Sequence, residues 1–253
     1  MKFETLKRPV RDVVVALLLL TRLPLPKLPD AAFEDAARAV WAYPLVGLVI
    51  GFAASLIAAL CVQIGLSPAL TVAMCLGFLI VVSGAMHEDG LADCADGFWG
   101  GYDKKRRLDI MKDSRIGTYG VLALVILTGV RGVALAALIP QGLGAIIAAC
   151  VLSRGAMPVL MFYVPHARSD GLSVHVGRPR LSPVLAGGAI AVTLAFLSIG
   201  SGAVGATIVA LCAAACVGAL AARKIGGQTG DVLGAAQQLS EAAILCFAVT
   251  LVA

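Results

Sequence analysis

Charge is what this chain has least of. Only 14% of its 253 residues are Asp, Glu, Lys or Arg, against 60% hydrophobic, and mean hydropathy is +0.95. A soluble domain carries about 25% charged residues, so the composition excludes a large soluble core and predicts a multi-spanning membrane protein. Histidine is scarce as well, with three in the chain, and no Cys-x-x-Cys pair occurs. No His stands at ligand spacing from a Cys, which leaves no zinc pattern. The seven cysteines read as small buried hydrophobes, with Cys94 incidental among acids. Neither an internal repeat nor a low-complexity linker is visible. One membrane domain, residues 1–253, is the simplest organisation. The net charge of +5 does not point to nucleic acid, because its placement follows membrane topology.

What the chain does have is long apolar runs. Spans are predicted at about 41–66, 68–86, 119–139, 143–164, 183–199, 204–222 and 233–253, each near the twenty or so residues a hydrocarbon core requires. Trp41 and Tyr43 form an interfacial aromatic pair. Gly47 and Gly51 have the spacing that lets helices pack closely. The earlier run from Val13 to Leu20 is too short to cross and is stopped by Arg22, Pro24, Pro26 and Pro29. It lacks a small-residue cleavage site, so residues 8–22 are read as an interfacial helix rather than a signal peptide. Residues 30–40 are expected as a short surface helix capped by Asp30. Residues 1–40 thus form an interfacial N-terminal region. The architecture is an all-α polytopic membrane bundle of about seven spans plus interfacial helices.

Eighteen of the twenty Lys and Arg residues lie in the N-terminal region or in the connections after spans two, four and six. By the positive-inside rule those regions face the cytoplasm. Arg131 and Arg154 are the exceptions, inside spans three and four. Glu241 lies inside span seven. Intramembrane charges face a bundle interior. Arg154 can reach phosphate with Glu241 as its partner, and a buried pair that only fixes helix register is the plainer alternative.

The acids are concentrated. Glu88, Asp89, Asp93 and Asp96 are four of the fifteen acidic residues, at the cytoplasmic end of span two. If this stretch is helical, Asp89, Asp93 and Asp96 fall on one narrow face at about 100° per residue. Three carboxylates on one face repel, and oxygen ligands at this density suit Mg²⁺. A solvated acidic helix start is the plain alternative. Residues 87–118 form the expected catalytic loop, continuing through Lys104–Arg107, which doubles as a topology signal for anionic headgroups. Lys112, Asp113 and Arg115 then mix both signs just before span three. Carboxylates holding a metal beside Lys and Arg are the parts of a phosphate-transfer site. Later, Gly226-Gly227-Gln228-Thr229-Gly230-Asp231 supplies a flexible backbone, a hydroxyl and a carboxylate at the start of span seven. An ordinary N-cap is equally consistent with that stretch alone. The connection at 165–179, with His166, Arg168, Asp170, His175 and Arg178, is basic and can cap a nucleotide or serve topology alone.

Together these segments resemble the cobalamin synthase family, also called adenosylcobinamide-GDP ribazoletransferase. The run from His87 to Gly97, followed by Ile110-Met111-Lys112-Asp113-Ser114-Arg115-Ile116-Gly117, is the specific part. Thr21-Arg22-Leu23-Pro24-Leu25-Pro26, Tyr43-Pro44-Leu45-Val46-Gly47, Ser153-Arg154-Gly155 and Thr229-Gly230-Asp231-Val232-Leu233-Gly234-Ala235 match in family order over nearly the whole chain. Glu88 departs from the family pattern, which has a neutral or hydrophobic residue there. The resemblance implies the last assembly step of adenosylcobalamin. Adenosylcobinamide-GDP reacts with α-ribazole or its 5′-phosphate, releasing GMP, with Mg²⁺ as cofactor. It places Asp89, Asp93 and Asp96 on the metal and one of them, or Asp113, on the hydroxyl proton. Lys112, Arg115 and Arg154 balance phosphate charge, and Ser153, Thr229 and Asp231 complete the substrate site. A bacterial cytoplasmic (inner) membrane location follows, with the lipid bilayer as surroundings. Whether the chain forms a homo-oligomer is left open.

Two rival classes exist. A CDP-alcohol phosphotransferase also holds metal on an Asp-Gly-rich run, but its Ala-Arg after Asp-Gly is missing, since Asp93 follows Ala92. A cation transporter would place its acids near the bilayer midplane, whereas these lie at an edge. A non-catalytic scaffold leaves the phosphate-type residues without a use.

Overall fold

The computed structural model describes residues 7–26 and 28–252. Residues 1–6 of the expected N-terminal region, Lys27 and Ala253 lie outside the described residues. Eleven α-helices are present among the described residues: α1 (Arg8–Leu20), α2 (Tyr43–Gln63), α3 (Pro68–Ser83), α4 (Met86–Gly100), α5 (Lys104–Ile110), α6 (Thr118–Leu138), α7 (Gly144–Tyr163), α8 (Leu172–Val176), α9 (Leu181–Ile199), α10 (Gly202–Ile225) and α11 (Gly230–Thr250). The protein is an all-α, multi-pass membrane bundle. Six helices are long and apolar enough to cross a membrane, counting α2 with the 3₁₀ turn that precedes it, and α3 joins them if it is paired with α4. The expected spans recur within a few residues.

α7 and α11 are the inner helices. Their apolar windows are 83% and 72% buried in the protein, against 22% for α6 and α9. The reason is chemical. α11 carries Gln237, Gln238, Ser240 and Glu241, and α7 carries Ser153 and Arg154, all of them buried. Lipid cannot satisfy those groups, so they turn inward. Gly47 allows α2 to reach α7: a Cβ there would lie 2.3 Å from the Cys150 carbonyl oxygen, as its sequence spacing suggested.

Two local expectations change. Residues 30–42 form two 3₁₀ turns, Asp30–Ala32 and Ala36–Ala42, and Asp30 makes no side-chain cap. The run is too short and too close to Pro29 for an α-helix to propagate. The acidic stretch is no loop either. α3 ends at Gly84 and Ala85, both with left-handed backbone (φ +66° and +55°), and α4 leaves at 85° to α3. Ser83, Gly84 and Ala85 therefore turn the chain out of its span and start a second helix with the acids in its first turns.

Ala85 is the one described non-glycine residue with positive φ. A left-handed alanine costs about 1–2 kcal/mol, most of which glycine avoids. We expect Ala85→Gly to keep the bend and raise the melting temperature in detergent, and Ala85→Val to lower it.

Candidate active site

α4 sends three consecutive side chains in three directions. His87 is buried against α11 and Glu88 is buried toward α6. Asp89 lines a cavity of about 140 Å³. Four residues on, Asp93 is half-buried on the same face. Burial and the repulsion of Asp89, Asp231 and Asp96 push its carboxyl up to about 7. The helical condition set by the sequence is met.

α11 begins opposite. Thr229 caps it, accepting from the Val232 N–H (3.3 Å) and donating to Asp231 Oδ2 (3.1 Å). Asp231 thus enters the same cavity as Asp89 from the N-terminus of another helix. The two helices meet at Gly90, where an added Cβ would stand 2.7 Å from the Asp231 carbonyl oxygen. Any side chain at position 90 pushes α4 and α11 apart and separates the two carboxylates.

A cation closes the arrangement. Arg168 Nη2 lies 3.5 Å from Asp231 Oδ2, and its Nη1 has no partner among the described residues. The connection between α7 and α8 delivers it by pairing with the segment before α11. The Gln228 N–H donates to the Pro165 carbonyl (2.7 Å) and the Ala167 N–H to the Gln228 carbonyl (2.9 Å). Lys112 Nζ pairs with Asp170 on the same connection at 2.7 Å.

The remaining expected residues sit elsewhere. Asp96 is buried and accepts from the Gly117 N–H (2.7 Å) and the Gly120 N–H (2.9 Å), anchoring the N-terminus of α6. Both of its oxygens are used in a favourable dipole position, so the structure does not bring it to Asp89 and Asp231. Asp113 and Arg115 pair at 2.8 Å in an exposed cleft that Asp96 also lines. The Arg115 hydrogen bonds hold Asp113 down at about 2, which makes it a weak proton acceptor. Arg154 and Ser153 lie one turn below the cavity, inside a buried network. Arg154 Nη1 is 3.5 Å from Glu241 Oε2, and Ser153 Oγ accepts from Gln237.

That network was only partly expected. Arg131 donates to Glu88 (3.3 Å), Gln238 (2.8 Å) and Glu241 (2.5 Å). Glu88, unlike its acidic neighbours, is therefore a buried counter-ion. Arg168 is the site residue that the sequence did not single out. Its only signal was membership of a basic connection.

Among the described residues, no group of three or more His, Cys, Asp or Glu side chains is arranged to hold a metal alone. Mg²⁺ does not require one. It keeps several waters and takes one or two carboxylates together with substrate phosphates. Asp89 and Asp231, with half-buried Asp93 beside them, fit that pattern, and the mutual repulsion felt at Asp93 is what a cation relieves.

A family model described as cobalamin-5-phosphate synthase matches residues 12–249. The chain belongs to this family. Relatives named adenosylcobinamide-GDP ribazoletransferase agree. The one from Bradyrhizobium diazoefficiens is 42% identical over 97% of this chain and 95% of its own. That of Mesorhizobium japonicum is 42% identical over 94% and 92%, and that of Sinorhizobium medicae 43% over 92% and 94%. No solved structure matches. Membership of the cobalamin synthase family, rather than of a phospholipid synthase family, is what the acidic run reports.

Proposed function

We propose that this chain joins adenosylcobinamide-GDP to α-ribazole or its 5′-phosphate and releases GMP. The observation that carries this reading is the convergence of Asp89 and Asp231, from two helix starts, with Arg168 at one cavity. A ribose hydroxyl attacks the cobinamide-bound phosphorus, the bond to the GMP oxygen breaks, and the hydroxyl proton goes to a carboxylate. Such a displacement depends on positioning and charge neutralisation more than on covalent catalysis. Asp89 and Asp231, assisted by Asp93, would hold Mg²⁺, which when bound neutralises diphosphate oxygens. Asp113, exposed and held low by Arg115, is a weak acceptor for that proton, which points to a carboxylate at the cavity. Arg168 holds a phosphate oxygen through its unpartnered Nη1. The polar connections carry the Lys and Arg excess, which supports a cytoplasmic site in a bacterial inner membrane.

The test uses purified protein in detergent with both substrates. GMP release should fall to background on adding EDTA and return with excess Mg²⁺. Undiminished release in EDTA would remove the metal, and no release under any condition would remove the transfer reaction.

A further inference from the structure

We propose that this chain holds one anionic phospholipid, with an acyl chain in an apolar groove between α7, α9 and α10 and the phosphate at Arg180. The groove lies apart from the α4–α11 cavity, and its occupancy does not depend on the transfer reaction.

The groove has a volume of about 330 Å³, and Leu152, Val159, Leu185 and Val192 are among its walls. The one hydroxyl along its inner length, on Thr207, is already used: it donates to the Ala203 carbonyl at 2.7 Å. A polar ligand would lose water there and gain no hydrogen bond in exchange. An apolar chain loses nothing.

A missing side chain makes the gap. A Cβ on Gly188, which lines the groove, would meet nothing within 4 Å. About one turn further along α9 the helices close, since a Cβ on Gly155 of α7 would lie 2.8 Å from the Ala191 Cβ. Glycine is a poor helix residue, so nothing local favours it at position 188. Left empty, such a gap forfeits the contacts on which a packed interior depends. Hydrocarbon restores them.

Polar groups collect at one end. Tyr163, the last residue of α7, lines the groove and is 68% exposed. Leu181, the first residue of α9, lines the same end. Arg180 precedes it, exposed and unpaired among the described residues. Arg178 is instead engaged by the Phe162 carbonyl, 2.8 Å from its Nε. Between Asp170 and Asp231 the sequence has no Asp or Glu, so no acid on α8, α9 or α10 competes for Arg180. A tyrosine and a free arginine where a lipid-facing groove reaches the interface are the parts that take an anionic headgroup.

The experiment compares wild type, Gly188→Phe and Arg180→Ala in dodecyl maltoside, each titrated with dioleoyl phosphatidylglycerol or dioleoyl phosphatidylcholine. Native mass spectrometry counts bound lipid, and melting temperature reads the linkage. Wild type should retain one phosphatidylglycerol per chain and melt higher as that lipid is added. Gly188→Phe, whose ring fills the gap, should lose the bound lipid and the response of its melting temperature. Arg180→Ala should bind phosphatidylglycerol about fivefold more weakly and lose the preference over phosphatidylcholine. Being an exposed change, it keeps the test open if Gly188→Phe does not fold. The proposal is overturned if wild type neither retains phosphatidylglycerol nor responds to it, if wild type holds phosphatidylcholine equally well, or if Gly188→Phe retains the lipid undiminished. Gel filtration covers the other occupant. A wild-type dimer that Gly188→Phe turns into a monomer would put a second copy in the groove and overturn the lipid.

Discussion

Asp89→Asn and Asp231→Asn should each lower kcat for GMP release by about a hundred- to a thousandfold, the scale on which removing one electrostatic group slows an acyl or phosphoryl transfer. Both residues face the cavity and neither supports the fold by a buried hydrogen bond. Asp89 is exposed, and among the described residues the Asp231 carboxylate is engaged only by Thr229 and the longer Arg168 contact. The isosteric amide keeps shape while removing the charge that a metal or a cationic transition-state partner needs. The check is initial-rate kinetics at saturating Mg²⁺, with melting temperature and gel-filtration elution as folding controls. Full activity in either variant at wild-type stability would remove that carboxylate from the site. Asp96→Asn supplies the contrast. Its carboxylate accepts two N–H groups at the start of α6, so the amide cannot accept both, and the loss should register in melting temperature as well as rate.

The bundle was legible from the sequence because hydrophobic runs of membrane length depend on local composition alone. The acidic face was legible for the same reason: helical periodicity puts Asp89 and Asp93 together once α4 is known to be a helix. What divided the acids was long-range. Asp96 faces glycines twenty-one and twenty-four residues ahead, and Asp231 joins Asp89 only because α11 packs against Gly90. Arg168 reaches the cavity through a backbone pairing between 165–167 and Gln228, which no local pattern announces. Arg154 reads as a phosphate ligand from the sequence because an intramembrane arginine beside Ser153 reads as functional, and the structure sets it 3.5 Å from Glu241. Its depth relative to the cavity is set by the packing of α7 against α11, which sequence spacing does not contain.

Glu241→Gln should destabilise the protein by about 3–5 kcal/mol, the cost of leaving a buried charge without its partner. Glu241 stands between Arg131 and Arg154 at 2.5 and 3.5 Å, each of the three side chains no more than 2% exposed. Two arginines and two glutamates, Glu88 and Glu241, make the network neutral. The glutamine leaves a net positive charge where neither water nor lipid can screen it. Arg131→Met should also destabilise, since it strands Glu88 and Glu241 against Arg154 alone. The double variant Arg131→Met with Glu241→Leu should lose less than the sum of the two single changes, because it removes the most closely paired opposite charges together. Thermal melts in one detergent measure all three, and strict additivity would show that the ion pair is not coupled. The same series reads out function. Glu88 precedes Asp89 on α4 and is held by Arg131 (3.3 Å) and Gln238 (3.0 Å). Releasing Glu88 frees the first turn of α4, so Arg131→Met should lower kcat beyond what its stability loss explains. The intramembrane network would then do more than fix helix register: it would aim the carboxylate at the cavity above it.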